Sequence, residues 1–202
     1  MKIEITSRWS GAVLFSIEAG SMKLAVEAAV RSKTNLPGAN LPGANLAGAN
    51  LTGAYLTGAY LAGANLSDAY LAGANLAGAY IAGASLTGAN LAGANLSDAY
   101  LAGANLAGAN LAGAYLSDAD LAGAYLPDAN LTDAPIVGGF PDGWRAHAWK
   151  DKAGVIHVQV GCRSKTLSEA RVYWSDRDNR REVVAFLDYV ERVGKLRGWT
   201  TP

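Results

Sequence analysis

Between Asn35 and Gly138 an aliphatic residue returns at every fifth position, from Leu36, Leu41 and Leu46 onward to Ile136, with no insertion or deletion to break the count. Two places before each stands Ala, or Thr34 at the start. Between them lies a polar residue or Tyr, with Pro135 in the last unit, and after the aliphatic come a small residue and then Gly or Asp. A period of five matches neither the 3.6 of a helix nor the alternation of a flat strand, so the chain must close on itself in another way. Ala and Leu, two apart in a short extended segment, point to one side, and the Asn or Tyr between them points to the other. Leu and Ala therefore form the inside and Asn and Tyr the outside. Pro37-Gly38 and Pro42-Gly43 fit the central positions of a type II turn, which makes the last two places of each unit a corner. For Leu126-Pro127-Asp128 and the corners at Asp68, Asp98, Asp118 and Asp133, a type I turn is the alternative. Four corners close a square coil of about twenty residues, and about five coils stacked roughly 4.8 Å apart give a rod ~25 Å long.

The flanking segments lack this period. In residues 1–34, Ile3 and Ile5 and then Val13, Phe15 and Ile17 alternate around Ser10-Gly11, which predicts a β-hairpin. Ser21 is placed to cap a short helix reaching Ala29 or Val30, with Met22, Val26, Ala29 and Val30 on one face. Such a segment would cover the open first coil, whose edge is otherwise unpaired. In residues 139–202, Pro141-Asp142-Gly143 predicts a turn, and Arg145–Trp149 and Val155–Gly161 predict two strands. A helix capped by Thr166 with Glu169 should follow, carrying Leu167, Ala170 and Trp174 on one face. Asp178 is placed to cap a longer helix with Val183, Leu187, Val190 and Gly194 as its buried stripe. The expected organisation is a cap (1–34), a repeat rod (35–138) and a ββαα module (139–202).

The repeated unit is similar to the A(N/D)LXX consensus of the pentapeptide-repeat family over half of the chain. That resemblance implies an all-β rod, a right-handed quadrilateral β-helix, here with a hairpin-and-helix cap and a small C-terminal α+β module. The opening MKIEITSRWSGAVLF and the stretch GCRSKTLSEARVYWSDRDNRREVVAFLDYV also resemble modules of phage and prophage pentapeptide-repeat proteins. This implies a phage or prophage source.

Charge changes the picture only locally. The net charge is zero, but all six charged residues of 35–138 are Asp, while the first 34 residues sum to +2 and the last 64 to +4. A mildly acidic rod thus lies between basic ends. A single cysteine, Cys162, rules out an intrachain disulfide framework. Lys2 is followed by Glu4 and Arg8 rather than by an apolar run, and no apolar stretch is long enough to span a membrane. The expected location is the bacterial cytoplasm or, given the resemblance, a phage virion, with no membrane partner.

Catalysis needs polar groups converging in a recess. The repeat holds no His, Cys, Glu, Lys or Arg, so no enzyme activity and no cofactor are expected. His147, His157 and Cys162 are the remaining candidates. They lack the four ligands of a structural zinc site and the oriented base and amide of a cysteine nucleophile, so no metal site is assigned and a buried Cys162 beside a surface His is the expectation. Arg163, Lys165, Arg171, Arg177, Arg180 and Arg181 form a basic run, but Asp176, Asp178 and Glu182 are interleaved with it. It is therefore read as a solvated helix start, and nucleic acid is disfavoured as a partner.

Folding the repeat at twenty residues per turn places Tyr60, Tyr80 and Tyr100 in one outward column between Asn40 and Asp120. Tyr55 and Tyr115 share the neighbouring face, and Tyr70 and Tyr125 stand apart on the other two. The column has two uses that the sequence leaves open: a docking surface, since Tyr is favoured at interfaces, or rings that stack on one another and stabilise the coil. Asp98 and Asp118 share a corner one turn apart, with Asp120 beside them. This acidic corner is read as solvated, since a calcium site gathers more oxygen ligands than it offers.

Two functions follow. The first is a non-enzymatic structural or interaction module that presents a rigid surface to a protein partner, with a homodimer through a terminal module as the oligomer that the resemblance implies. Trp144, Trp149, Tyr173, Trp174 and Trp199 are the aromatics available for that contact, or else they seal the last coil. The second is a DNA mimic that binds a type II topoisomerase, as the quinolone-resistance branch of the family does. That branch carries a more acidic rod, Phe at the central inward position and projecting loops, and this repeat has none of the three. A weak field competes poorly with the phosphate charge of DNA.

Overall fold

The computed structural model describes residues 1–121 and 124–130, the backbone of four strands between 136 and 166, and Val190. The chain divides into two compact units, Met1–Leu131 and Thr132–Pro202.

In the first unit the repeat forms a stack of four-sided coils. Every outward residue bridges in parallel to the residue twenty places on, from Asn40↔Tyr60 through Tyr80↔Tyr100 to Asn110↔Asn130. The hydrogen bonding repeats with the sequence. Leu61 N donates to Tyr80 O (2.8 Å) and Gly63 N to Ala82 O (3.0 Å) in the next coil, Tyr80 N donates back to Ala59 O (2.8 Å), and Ala64 N closes the corner on Leu61 O (3.0 Å). That leaves one N–H per unit, on the small residue after Leu. Where the outward residue is Asn its own carbonyl accepts that bond, as in Ala92 N to Asn90 Oδ1 (3.1 Å) and Ala112 N to Asn110 Oδ1 (3.1 Å). Asn is thus the default outward residue because its short side chain satisfies the backbone donor two residues on.

Inside, every member of the Leu series from Leu36 to Leu111, with Ile81, is at most 2% exposed, and Ala49 to Ala114 line the column with them. Each buried Leu contributes about 1.5–3 kcal/mol against the entropy of a Gly-rich backbone.

The corners depart from one expectation. Asp68, Asp98, Asp118 and Asp128 adopt φ of 57–59°, in the same range as glycines such as Gly48 (60°) and Gly88 (67°). A type I turn needs a negative φ at this position, so the Asp corners have the left-handed residue of the type II pattern. Asp tolerates the left-handed region better than most side chains because its short polar group bonds locally.

The N-terminal segment closes the first coil. Strands β1 (Lys2–Thr6) and β2 (Val13–Glu18) form an antiparallel hairpin with Ile3↔Ile17 and Ile5↔Phe15 in register. Helix α1 (Met22–Arg31) starts at Ser21, whose Oγ accepts from Leu24 N (3.3 Å). Its buried residues are Ala25, Val26 and Ala29, so the stripe includes Ala25 and leaves Met22 and Val30 half-buried.

The first coil has no preceding coil to bond to, and the cap supplies the missing partners. Asn40 N donates to Thr6 O (2.8 Å) and Arg8 N to Gly38 O (2.7 Å). Lys23 Nζ donates to Ala47 O (2.8 Å), and Glu27 Oε1 accepts from Asn50 N (2.9 Å). The edge that invites pairing with another chain is thereby occupied.

In the second unit β3 (Ile136–Gly139), β4 (Arg145–Lys150), β5 (Ile156–Val160) and β6 (Arg163–Thr166) form an antiparallel sheet in that order. The sequence predicted two of these strands. Ile136, the last member of the Leu series, lies in β3 and pairs with Ala148. In the sequence the second residue of this last unit is Pro135, where the preceding units have an N–H that bonds between coils, and proline has none to give. Val190 is helical and fully buried, in keeping with its place on the predicted stripe. The rest of the two predicted helices, the turn at 141–143, Asp133 and Cys162 lie outside the described residues.

Candidate functional site

The outward positions carry the largest variable side chains of the coil and lie clear of the Leu column, so a site on a face of the coil is built there. On one face this position holds Asn40, Tyr60, Tyr80, Tyr100 and Asp120, each bridged to the next. The three rings lie one above another: centroids are 5.4 Å apart for Tyr60 and Tyr80 and 5.5 Å for Tyr80 and Tyr100, each pair tilted by 32°. The pairs are tilted, with centroids within the range of aromatic contacts and little further apart than the coil spacing. Tyr80 is 36% exposed and Tyr100 51%, against 59% for Tyr55 and 56% for Tyr70, which have no ring neighbour among the described residues. Ring contact thus goes with lower exposure, most of all at Tyr80, which has a ring on either side.

The upper end of the column is closed by a residue that the sequence did not single out. The Arg8 guanidinium lies 5.1 Å from the centre of the Tyr60 ring and its Nη1 reaches Gly58 O at 3.5 Å. This is a cation–π cap, worth about 0.5–1 kcal/mol at an exposed site. Next to it the Trp9 ring, 65% exposed, lies against two corners of the adjoining column. A Cβ added at Gly38 would come within 2.5 Å of that ring, and one at Gly58 within 2.9 Å. Those glycines are required for close approach as well as for φ. Nothing in the repeat hints at this, because Gly occupies nearly every corner.

The remaining candidates are placed as follows. Tyr55 and Tyr115 share a column but are separated by Asn75 and Asn95, so they do not meet. Tyr70 and Tyr125 stand on the other two faces. Asp98 N donates to Ser117 O, which sets the corners of Asp98 and Asp118 one coil apart, and Asp120 bridges to Tyr100. No group of three or more His, Cys, Asp or Glu side chains able to hold a metal ion occurs among the described residues. In the second unit His147 pairs in register with Gln159 and His157 with Trp149. Of the basic run, Arg163 and Lys165 lie in β6 and the others lie outside the described residues. No helix among the described residues is long and apolar enough to cross a membrane.

A family model described as pentapeptide repeats matches residues 32–61, 59–98 and 94–133, about half of the chain. The chain belongs to the pentapeptide-repeat family. Membership implies a right-handed coil and makes the chain a member of a family of non-enzymatic structural modules. Among solved structures, it is similar to a pentapeptide-repeat protein from the thylakoid lumen of Arabidopsis thaliana, at 32% identity over 50% of this chain and 68% of that one, with a TM-score of 0.39. It is also similar to Rfr23 from the cyanobacterium Cyanothece 51142, at 39% identity over 48% of this chain and 63% of that one (TM-score 0.28). A third likeness is to QnrB1, a plasmid-mediated fluoroquinolone resistance protein, at 15% identity over 46% of this chain and 67% of that one (TM-score 0.24). The chain thus spans between 63 and 68% of the length of these three proteins. No curated protein matches it significantly.

Proposed function

We propose that the chain is a non-enzymatic interaction module of phage or prophage origin, acting in the host cytoplasm or in the virion, and that it docks a protein partner along the Tyr60–Tyr80–Tyr100 column. The observation that supports this is the column itself: three neighbouring rings in a row on one face of the coil, in contact with one another and still partly exposed. Preorganised tyrosines lose little conformational entropy on binding. The 1–34 segment serves as the lid of the rod, and 139–202 is a separate module available for self-association. The acidic corner at Asp98, Asp118 and Asp120 borders the same face and lends it a negative end.

The test is capture from host lysate and from phage particles on the immobilised intact chain. A Tyr60/Tyr80/Tyr100→Ala variant and a Tyr55/Tyr115→Ala variant are run beside it, with melting curves for all three. Capture of a capsid, tail or host protein that the folded column variant loses, and the Tyr55/Tyr115 variant keeps, supports the docking column. Capture of a type II topoisomerase by all three would favour the DNA-mimic function and end this one.

A further inference from the structure

We propose that the Tyr60–Tyr80–Tyr100 ladder is a site of intrachain oxidative cross-linking, at which a one-electron oxidant joins neighbouring rings into dityrosine and so ties successive coils covalently. Among the described residues only these tyrosines have aromatic neighbours, and both pairs have nearly the same geometry, with centroids 5.4 and 5.5 Å apart at 32°. Tyr80 and Tyr100 are exposed enough, at 36% and 51%, to be oxidised from solvent.

In the coupling each phenol gives one electron and its hydroxyl proton to the oxidant. The two phenoxyl radicals then combine at the carbons ortho to oxygen, forming one C–C bond. Each coupled carbon loses its hydrogen as a proton to restore the aromatic ring, while the oxygen regains one. In sum two C–H bonds are exchanged for one C–C bond, and two electrons and two protons leave. With hydrogen peroxide and a haem peroxidase as the oxidant these convert one peroxide into two waters.

Two features of the coil favour this product over links between chains. A radical formed on Tyr80 has a partner ring on either side at fixed distance, so coupling is an intramolecular step with the rate advantage of held reactants. The backbone strands that carry the rings are bridged Tyr60↔Tyr80↔Tyr100, about 4.8 Å apart, so the link joins side chains already held on adjacent coils. Tyr55 and Tyr70 are more exposed and thus easier to oxidise, but a radical there has no ring beside it.

The experiment treats the intact chain, at low concentration, with a haem peroxidase and hydrogen peroxide. The repeat lacks Lys and Arg, so trypsin leaves all three tyrosines in one peptide, but cleavage before Asp68 and Asp98 places them in separate peptides. The expected product is a monomer lighter by two hydrogens, with dityrosine fluorescence and with Tyr80 joined to Tyr60 or Tyr100 in tandem mass spectra. Tyr80→Phe should lower the dityrosine yield roughly fivefold or more by removing the shared partner, while Tyr55→Phe with Tyr115→Phe leaves it unchanged. Dityrosine found chiefly between chains, or an undiminished yield in a folded Tyr80→Phe protein, would overturn the proposal.

Discussion

Replacing Tyr80 by Asn, and separately Tyr70 by Asn, isolates what the ring stack contributes. Both residues occupy the same place in the five-residue unit, in the same region of the coil, and each is followed two residues on by an Ala whose N–H a new Asn can satisfy, as at Ala92 and Ala112. That gain is common to both changes and cancels in their difference. Tyr80 alone has two ring partners, each pair worth about 0.5–1.5 kcal/mol beyond the area it buries. It is also 36% exposed where Tyr70 is 56%, and the extra burial, roughly 40 Å² for a side chain of this size, adds about 1 kcal/mol. Tyr80→Asn should therefore cost about 2–4 kcal/mol more than Tyr70→Asn. Urea unfolding followed by circular dichroism reads the difference from the midpoints, provided the slopes agree, since a repeat array need not unfold in one step. Equal losses at the two positions would refute the reasoning and mean that the rings stand together without stabilising one another.

Other perturbations test other parts of the structure. A Cβ at Gly88 would meet Asp68 Oδ1 at 2.5 Å, whereas one at Gly78 meets nothing within 4 Å, although both have positive φ. Gly78→Ala should then show only backbone strain of about 1–2 kcal/mol, and Gly88→Ala should show that strain plus the smaller cost of turning the exposed Asp68 carboxylate aside, a difference that disappears when Asp68→Gly is added in a double-mutant cycle read by thermal melts. Glu27→Leu removes the acceptor of Asn50 N–H, so amide exchange at Asn50 should speed up while that at Asn90, bonded to Ala69 O, holds. Leu76→Ala empties part of the column where Leu76 is 1% exposed and should cost about 2–5 kcal/mol by chemical denaturation.

The register was legible because nothing interrupts it. A fixed five-residue unit with its corner at Gly or Asp allows only one way to stack, and Tyr60, Tyr80 and Tyr100 fall in line from their numbers alone. Ser21 was legible as an N-cap because its hydroxyl precedes an amphipathic run. What the sequence concealed depends on contacts between its two patterns. Arg8 over Tyr60 and Trp9 over Gly38 and Gly58 join a non-repeating loop to the repeat, and no periodicity records such a contact. Lys23 and Glu27 look like ordinary surface charges on α1, yet they replace backbone partners that the first coil lacks. The Asp corners were misjudged from the general turn preference of Asp. The better cue was that Asp stands where every other unit has Gly, at a place that needs positive φ. The extra strands β3 and β6 were missed because Ile136 extends the Leu count by one unit beyond Pro135, and because the short run Arg163–Thr166 is too polar to alternate visibly.

On the proposed function, the position of the tyrosine column on the coil, and not the mere presence of tyrosines, selects the partner. It is tested most directly by moving the column: Tyr60, Tyr80 and Tyr100 are changed to Asn while Asn90 and Asn110 are changed to Tyr beneath Tyr70, which rebuilds a three-ring stack on a different face. The protein captured by the intact chain is then titrated against both, with melting curves to show that each is folded. The relocated column should preserve the fold and lose the partner. Binding of undiminished strength by the relocated column would contradict it.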